Sequence, residues 1–191
     1  AMRDKGLSYQ KLSERDLIQK TAQALCRGQI IGWFQGRMEF GPRALGNRSI
    51  LADPRRQEMK DLLNQRIKHR ENFRPFAPAV PDEDARAYFQ MNGSLSPFML
   101  EVFSVRAEKQ CLIPAVTHVD GTARVQTVSK MEQPRFWKLL KEFGRVTGVP
   151  VLLNTSFNEN EPIVCTPREA LECFLRTKTD MLVLGDYMVE K

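Results

Sequence analysis

Apolar and polar positions along this chain change spacing from segment to segment, and the changes mark helices and strands in turn. Leu17, Ile18, Thr21, Ala22, Leu25 and Cys26 recur at three- and four-residue steps, the spacing of one helical face. Ser13 with Asp16 supplies a start signal for that helix, and Gly28 a stop. Residues 29–34 (QIIGWF) form a short apolar run that reads as a buried strand. A second helix is predicted over 55–70, with Met59, Leu62, Leu63 and Ile67 facing inward. Asn64 and Lys68, one turn apart, then share a face outside that stripe. Residues 82–90 predict a short helix, and Asn92-Gly93-Ser94 a turn.

Strands are predicted at 98–105, 115–119 and 123–128, the last two joined by the hairpin-type turn Asp120-Gly121-Thr122. Residues 135–146 are amphipathic through Phe136, Leu139, Leu140 and Phe143, ending near Gly148. A hydrophobic strand at 149–153 runs into Asn154-Thr155-Ser156-Phe157-Asn158. Thr166-Pro167-Arg168-Glu169 then starts a helix by three rules at once: an N-cap, proline at the first helical position and glutamate two residues later. Residues 181–184 predict a last strand. With no repeat, low-complexity tract or linker, the expectation is a mixed α/β (α+β) sheet in one compact domain over residues 1–191.

Composition changes this picture in one place. The chain has 191 residues, enough for a core without covalent staples, and a net charge of +6. Ten Lys/Arg stand against five Asp/Glu between Gly36 and Phe76, so this segment carries nearly all of the excess. The cations cluster among Gly, Pro, Asn, Ser and aromatics, which argues for an anion pocket over a nucleic-acid stripe. Cys26, Cys111, Cys165 and Cys173 show no CxxC spacing, so reduced thiols in a cytoplasmic protein are expected, with no metal site. No apolar run reaches the roughly 20 residues of a membrane span. Ala1-Met2 resembles a cloning remnant, so a piece of a longer protein is expected.

Four motifs can carry chemistry. In Gly36–Ser49 three glycines let backbone approach a ligand and leave N–H groups to donate, with Arg43, Asn47 and Ser49 beside them. The loop is neither a Walker A sequence nor GxGxxG, and on residues alone it also reads as a glycine-rich turn with surface arginines. From Asn64 to Pro78, Lys68 supplies a mobile point charge and Arg74 a rigid fork held by Pro75 and Pro78; a solvated helix face fits the same spacing. His69, between Lys68 and Arg70, reads as a surface imidazole. Arg124 follows the 120–122 turn and opens a strand, so it can point into a cleft, although an ordinary hairpin explains the segment equally. His118 and Asp120 there match neither a triad nor a metal set. Asn154 and Ser156 stand at the carboxyl end of a predicted buried strand, where open α/β sheets place ligands. No nucleophile–base set is present, so these residues favour positioning of anions over nucleophilic attack by the protein.

These four motifs resemble the C-terminal, YrdC-like domain of the nodulation-type and antibiotic O-carbamoyltransferases. The resemblance is carried by GRMEFGPRALGNRSIL, the Asn-x-x-Ile-Lys-x-Arg-Glu-x-Phe-Arg-Pro-Phe-Ala-Pro run, His-Val-Asp-Gly-Thr-x-Arg-x-Gln and Leu-Leu-Asn-Thr-Ser-Phe-Asn, covering about Trp33 to Leu184. It implies a YrdC-like open, twisted mixed sheet flanked by helices. It also implies an enzyme domain that takes carbamoyl phosphate and ATP, with Mg²⁺ accompanying the nucleotide, and makes a carbamoyl-adenylate. An N-terminal Kae1-like domain, absent from this sequence, would hold iron and the acceptor pocket and transfer the carbamoyl group to a hydroxyl. Matching positions imply that Arg43, Lys68, Arg74 and Arg124 hold phosphates, with Asn154 and Ser156 nearby. Lys68→Ala is then expected to abolish pyrophosphate release while leaving folding unchanged. Competing readings are a threonylcarbamoyl-adenylate synthase, a non-catalytic RNA-binding module of the same fold, and an inert appendage.

Overall fold

The computed structural model describes residues 7–71, 73–93 and 95–191. Its main sheet contains β1 (Ser8–Lys11), β2 (Ile31–Phe34), β3 (Arg48–Ala52), β4 (Ala77–Pro81), β7 (Gln126–Val128), β8 (Leu152–Ser156), β9 (Met181–Leu184) and β10 (Tyr187–Glu190). Their spatial order is β1-β10-β9-β2-β3-β8-β4-β7. The pairs β2/β9 and β4/β7 are parallel and the others antiparallel. A separate two-stranded sheet pairs β5 (Val102–Ser104) with β6 (Thr122–Arg124). The helices are α1 (Glu14–Cys26), α2 (Met59–Leu63), α3 (Ala85–Tyr88), α4 (Ala107–Gln110), α5 (Pro134–Thr147) and α6 (Pro167–Arg176).

Strand alternation sorts the core into two layers. Successive strand side chains point to opposite faces. Ile31 and Trp33, Leu51, Leu152, Met181 and Val183 accordingly pack with α1 and α5, through Leu17, Leu25, Phe136, Leu140 and Phe143. Phe34, Ile50, Leu153 and Leu182 join α2, α3 and α6 on the other face. The central strands β2 and β3 are buried at every position, so neither alternates between apolar and polar residues; the two polar residues of β3, Arg48 and Ser49, are buried with the rest.

Local signals held where the rules are local. Ser13 Oγ accepts from the Asp16 amide, and Thr166 forms a reciprocal capping box with Glu169. Gly148 caps α5 in the left-handed region. Elsewhere the structure corrects the expectations. The predicted 55–70 helix shrinks to α2 followed by a π-helical turn, Asn64–Lys68, which stops at His69 in a left-handed conformation. The wider turn swings Asn64 and Lys68 inward, so both are buried rather than on an outer face. The predicted strand at 115–119 is a 3₁₀ turn, Pro114–Val116, because Pro114 has no N–H for a ladder. Residues 123–128 do not form one strand: Arg124 ends β6 and Gln126 begins β7, in different sheets. The strand at 98–105 contracts to β5, and that at 149–153 shifts into β8, which includes Asn154 and Ser156. The turn expected at 92–94 falls partly outside the described residues, at Ser94. The short edge strand β1 and its neighbour β10 are not among the predicted elements.

Candidate functional site

The end of β8, the end of β6, the 42–44 loop and the chain after the π-turn meet around a cavity of about 110 Å³. Arg43, Arg70, Arg124, Asn154 and Ser156 line it, backed by Phe76 and Met99. No Asp or Glu is in the lining. Arg124 is held below the usual guanidinium range by burial first, then by the charges of Arg43 and Arg70. Arg70 is lowered by burial and by Arg74. A guanidinium stays protonated all the same, so this cavity holds mutually repelling cations at short range in a region of reduced solvation. Arg124 Nε and Asn154 Oδ1 are buried with no hydrogen-bond partner among the described residues. An unsatisfied donor among unopposed positive charges is the state that a bound oxyanion relieves.

Arg70 and Arg124 are placed by their surroundings. Arg70 donates from Nε to Asn64 Oδ1 at 2.8 Å and lies over the Phe76 ring, 4.8 Å from its centroid. Stacking and one hydrogen bond fix the plane of the fork and leave its terminal nitrogens to the cavity. Arg124 is held by register with Val102 in the small sheet. Asn154 is almost fully buried and donates to Gln126 Oε1 (2.7 Å) and to the Ala44 carbonyl (3.1 Å). Gln126 in turn donates to the Leu45 carbonyl at 2.6 Å. The two amides thereby tie the arginine-bearing loop to β7 and β8.

Lys68 behaves differently from the mobile point charge expected of it. Its ammonium is surrounded by four oxygens: the carbonyls of Ser156 (2.7 Å) and Asn158 (2.8 Å), Asn158 Oδ1 (2.7 Å) and Ser156 Oγ (3.2 Å). Burial, with Arg70 beside it, pushes Lys68 down to about 7. Its place is behind Ser156, bracing the end of β8. Ser156 Oγ also donates to Asn158 Oδ1 at 2.7 Å, so serine, asparagine and lysine form one closed group.

The glycine-rich loop departs from its reading as well. The amides at its C-terminal end are not left for a ligand: Glu39 Oε1 accepts from Leu45 N (2.8 Å) and Asn47 N (2.7 Å), with Arg48 N at 3.4 Å. Ser49 is buried and its Oγ accepts from Gly46 N at 3.0 Å, while Asn47 donates to the Arg37 carbonyl at 2.9 Å. Asn47 and Ser49 thus shape the loop and do not line the cavity. Gly46 has φ +115°, and a Cβ there would stand 2.4 Å from Phe136 Cδ1, so only glycine fits. Arg74 is exposed and pairs with Glu71 at 3.5 Å, outside the lining, although its charge reaches Arg70. His69 is half-exposed and faces Glu159.

Arg70, Asn158, Gln126 and Glu39 were given no role by sequence reasoning. Arg70 was hidden in a basic run that reads as a solvated helix face. The signal available for the others was their place inside the same motifs. Among the described residues no group of three or more His, Cys, Asp or Glu side chains is placed to hold a metal ion.

Comparison with known proteins supplies the lineage. Residues 22–191 match the family model described as Carbamoyltransferase C-terminus. The nodulation protein NolNO of Sinorhizobium fredii is 52% identical over 92% of this chain, and the 3'-hydroxymethylcephem-O-carbamoyltransferase of Amycolatopsis lactamdurans 47% over 85%. The chain spans only 26% and 31% of these relatives. In three dimensions it resembles full-length HypF, with a TM-score of 0.65 at 22% identity, over 93% of this chain and 26% of that one. That likeness concerns the fold, a mixed sheet flanked by helices. The sequence match is of another order, and by it the chain belongs to the carbamoyltransferase C-terminal family.

Proposed function

We propose that this chain is the domain of an O-carbamoyltransferase that binds carbamoyl phosphate and ATP and forms a carbamoyl-adenylate: water displaces inorganic phosphate from carbamoyl phosphate, and the carbamate oxygen then displaces pyrophosphate from the α-phosphorus of ATP. The observation that carries the reading is the convergence of Arg43, Arg70 and Arg124 on one cavity without a carboxylate. Two polyanions resist approach to each other, and fixed cations in a partly desolvated site offset that repulsion. The volume of about 110 Å³ suits a carbamoyl or phosphate group; the nucleoside then lies beyond the rim. In this reading Arg43 and Arg124 clamp phosphate oxygens in pairs, Arg70 adds a third fork, and Asn154 Oδ1 accepts from the carbamoyl amide. Lys68 braces Ser156 rather than moving with the ligand. The cavity offers Mg²⁺ no carboxylate, so the ion that accompanies ATP is held through nucleotide phosphates. An N-terminal Kae1-like domain, with its own iron and hydroxyl acceptor, would receive the adenylate. The greater length of the relatives supports such a partner in cis. Four unpaired thiols fit a cytoplasmic setting.

The test is pyrophosphate release from ATP by this chain, supplied in parallel with carbamoyl phosphate or with threonine and bicarbonate. Release that depends on carbamoyl phosphate is expected. Release only with threonine and bicarbonate transfers the chain to adenylate synthesis of the other kind. Failure to bind carbamoyl phosphate in calorimetry removes the proposal altogether.

A further inference from the structure

We propose that Glu39, an acidic residue beside a site for anions, is the positioning residue that sets Arg43 against Arg124. The inference rests on the anion-binding reading above. A carboxylate here opposes the charge the ligand requires, and Coulomb attraction alone would favour its absence. Its geometry explains its presence. One oxygen of Glu39 gathers the amides of Leu45 and Asn47, within 2.8 Å, with that of Arg48 farther off. These amides belong to the segment immediately following Arg43 and Ala44.

The opposite edge of the same segment is gripped by different groups. Asn154 holds the Ala44 carbonyl and Gln126 the Leu45 carbonyl, and both side chains are buried. The peptide after Arg43 is thus pinned from its N–H side by Glu39 and from its carbonyl side by the sheet. Arg43 itself is exposed, and its loop is otherwise open: nothing lies within 4 Å of a Cβ built on Gly41 or Gly36. Without the Glu39 contacts the N–H side of the pin is lost, and the guanidinium samples orientations that no longer converge on the cavity. A carboxylate suits the task because charge-assisted hydrogen bonds to amides are about twice as strong as neutral ones.

Electrostatics and positioning predict opposite signs, which makes the test decisive. Carbamoyl phosphate and inorganic phosphate are titrated calorimetrically into the wild-type chain, Glu39→Ala, Glu39→Gln, Arg43→Ala and the Glu39→Ala/Arg43→Ala double variant. Thermal unfolding is recorded for each. Glu39→Ala is expected to weaken binding about tenfold despite adding net positive charge, and Glu39→Gln, which keeps an acceptor oxygen, to recover part of the loss. In the Arg43→Ala background the Glu39 substitution should have almost no further effect, because it acts through that side chain. Unchanged or tighter binding by Glu39→Ala overturns the inference. So does full additivity in the double variant, which is what a general structural role produces. If Glu39→Ala does not fold, Glu39→Gln with Arg43→Ala supplies the same cycle. A wild-type chain that binds neither ligand defeats the anion-site reading instead, so the two failures are distinguishable.

Discussion

Two cationic regions of this molecule, one buried and one lining an open cavity, look alike in sequence and differ in what surrounds them. Arg48 donates to the carbonyls of Gln35, Asn47 and Gly36 and lies 3.6 Å from the Phe34 ring centroid; Lys68 is enclosed by four oxygens. Lys68 is held by the fold's own oxygens, and so are the terminal nitrogens of Arg48, whose Nε has no partner among the described residues. Arg43, Arg70 and Arg124 meet one another instead around a cavity that no carboxylate lines, with Glu71 acting on Arg70 from outside it. The difference teaches that the number of cations in a motif says little about binding. The supply of acceptors decides, since a cation satisfied internally holds structure and one left unsatisfied waits for an anion.

Substitutions on either side can break this contrast. The largest effect is expected for Arg124→Ala, with carbamoyl-phosphate affinity falling about 100-fold, or roughly 2.7 kcal/mol, by calorimetry. The melting temperature should hold or rise, because a mutual repulsion is removed. A large drop in stability with little loss of affinity would place Arg124 with the structural cations. Lys68→Met reverses the pattern: four oxygens lose their donor, and urea unfolding should report a loss of about 2 kcal/mol. Such a loss would replace the expectation that folding is indifferent to Lys68. A variant as stable as wild type would return Lys68 to the role of a free charge.

Smaller effects sharpen the comparison. Because Lys68 is depressed in the folded chain to about 7 from an ordinary value of 10.5, the unfolded chain binds more protons between those values. Its contribution to stability therefore rises with pH across that window and is flat below about 7. Urea midpoints at several pH values should show this slope in wild type and its loss in Lys68→Met; identical slopes would contradict it. Arg74→Ala, at the exposed margin, should weaken binding only about threefold and change stability by less than about 0.5 kcal/mol. Added salt should erase most of that difference, and an effect as large as that of Arg124→Ala would move Arg74 into the clamp.

Sequence made part of this legible. Helices α1, α5 and α6 were readable because their stripes and caps are local, within a few residues of one another. Strand β1 was not, since a short, mostly exposed polar strand draws its stability from a partner far along the chain, and β10 has only four residues in which to show a pattern. At the site, Arg43, Arg124, Asn154 and Ser156 were named and do line one cavity. Arg70 was passed over because its stacking on Phe76 and its bond to Asn64 depend on a π-turn that composition does not announce. Asn47 and Ser49 show the converse: polar residues in a glycine loop suggest ligand contacts, while here they, with Glu39, satisfy the loop's own backbone.

The close fit of Phe136 against the bare α-carbon of Gly46 has a consequence for engineering. Residues 36–49 do not constitute a transferable cassette, since the aromatic wall that their backbone rests on is supplied from ninety positions downstream. A graft onto another scaffold must import the ring of α5 along with the loop. Recombination between homologous chains should succeed only where the half that supplies α5 brings a ring that fits the loop's glycine.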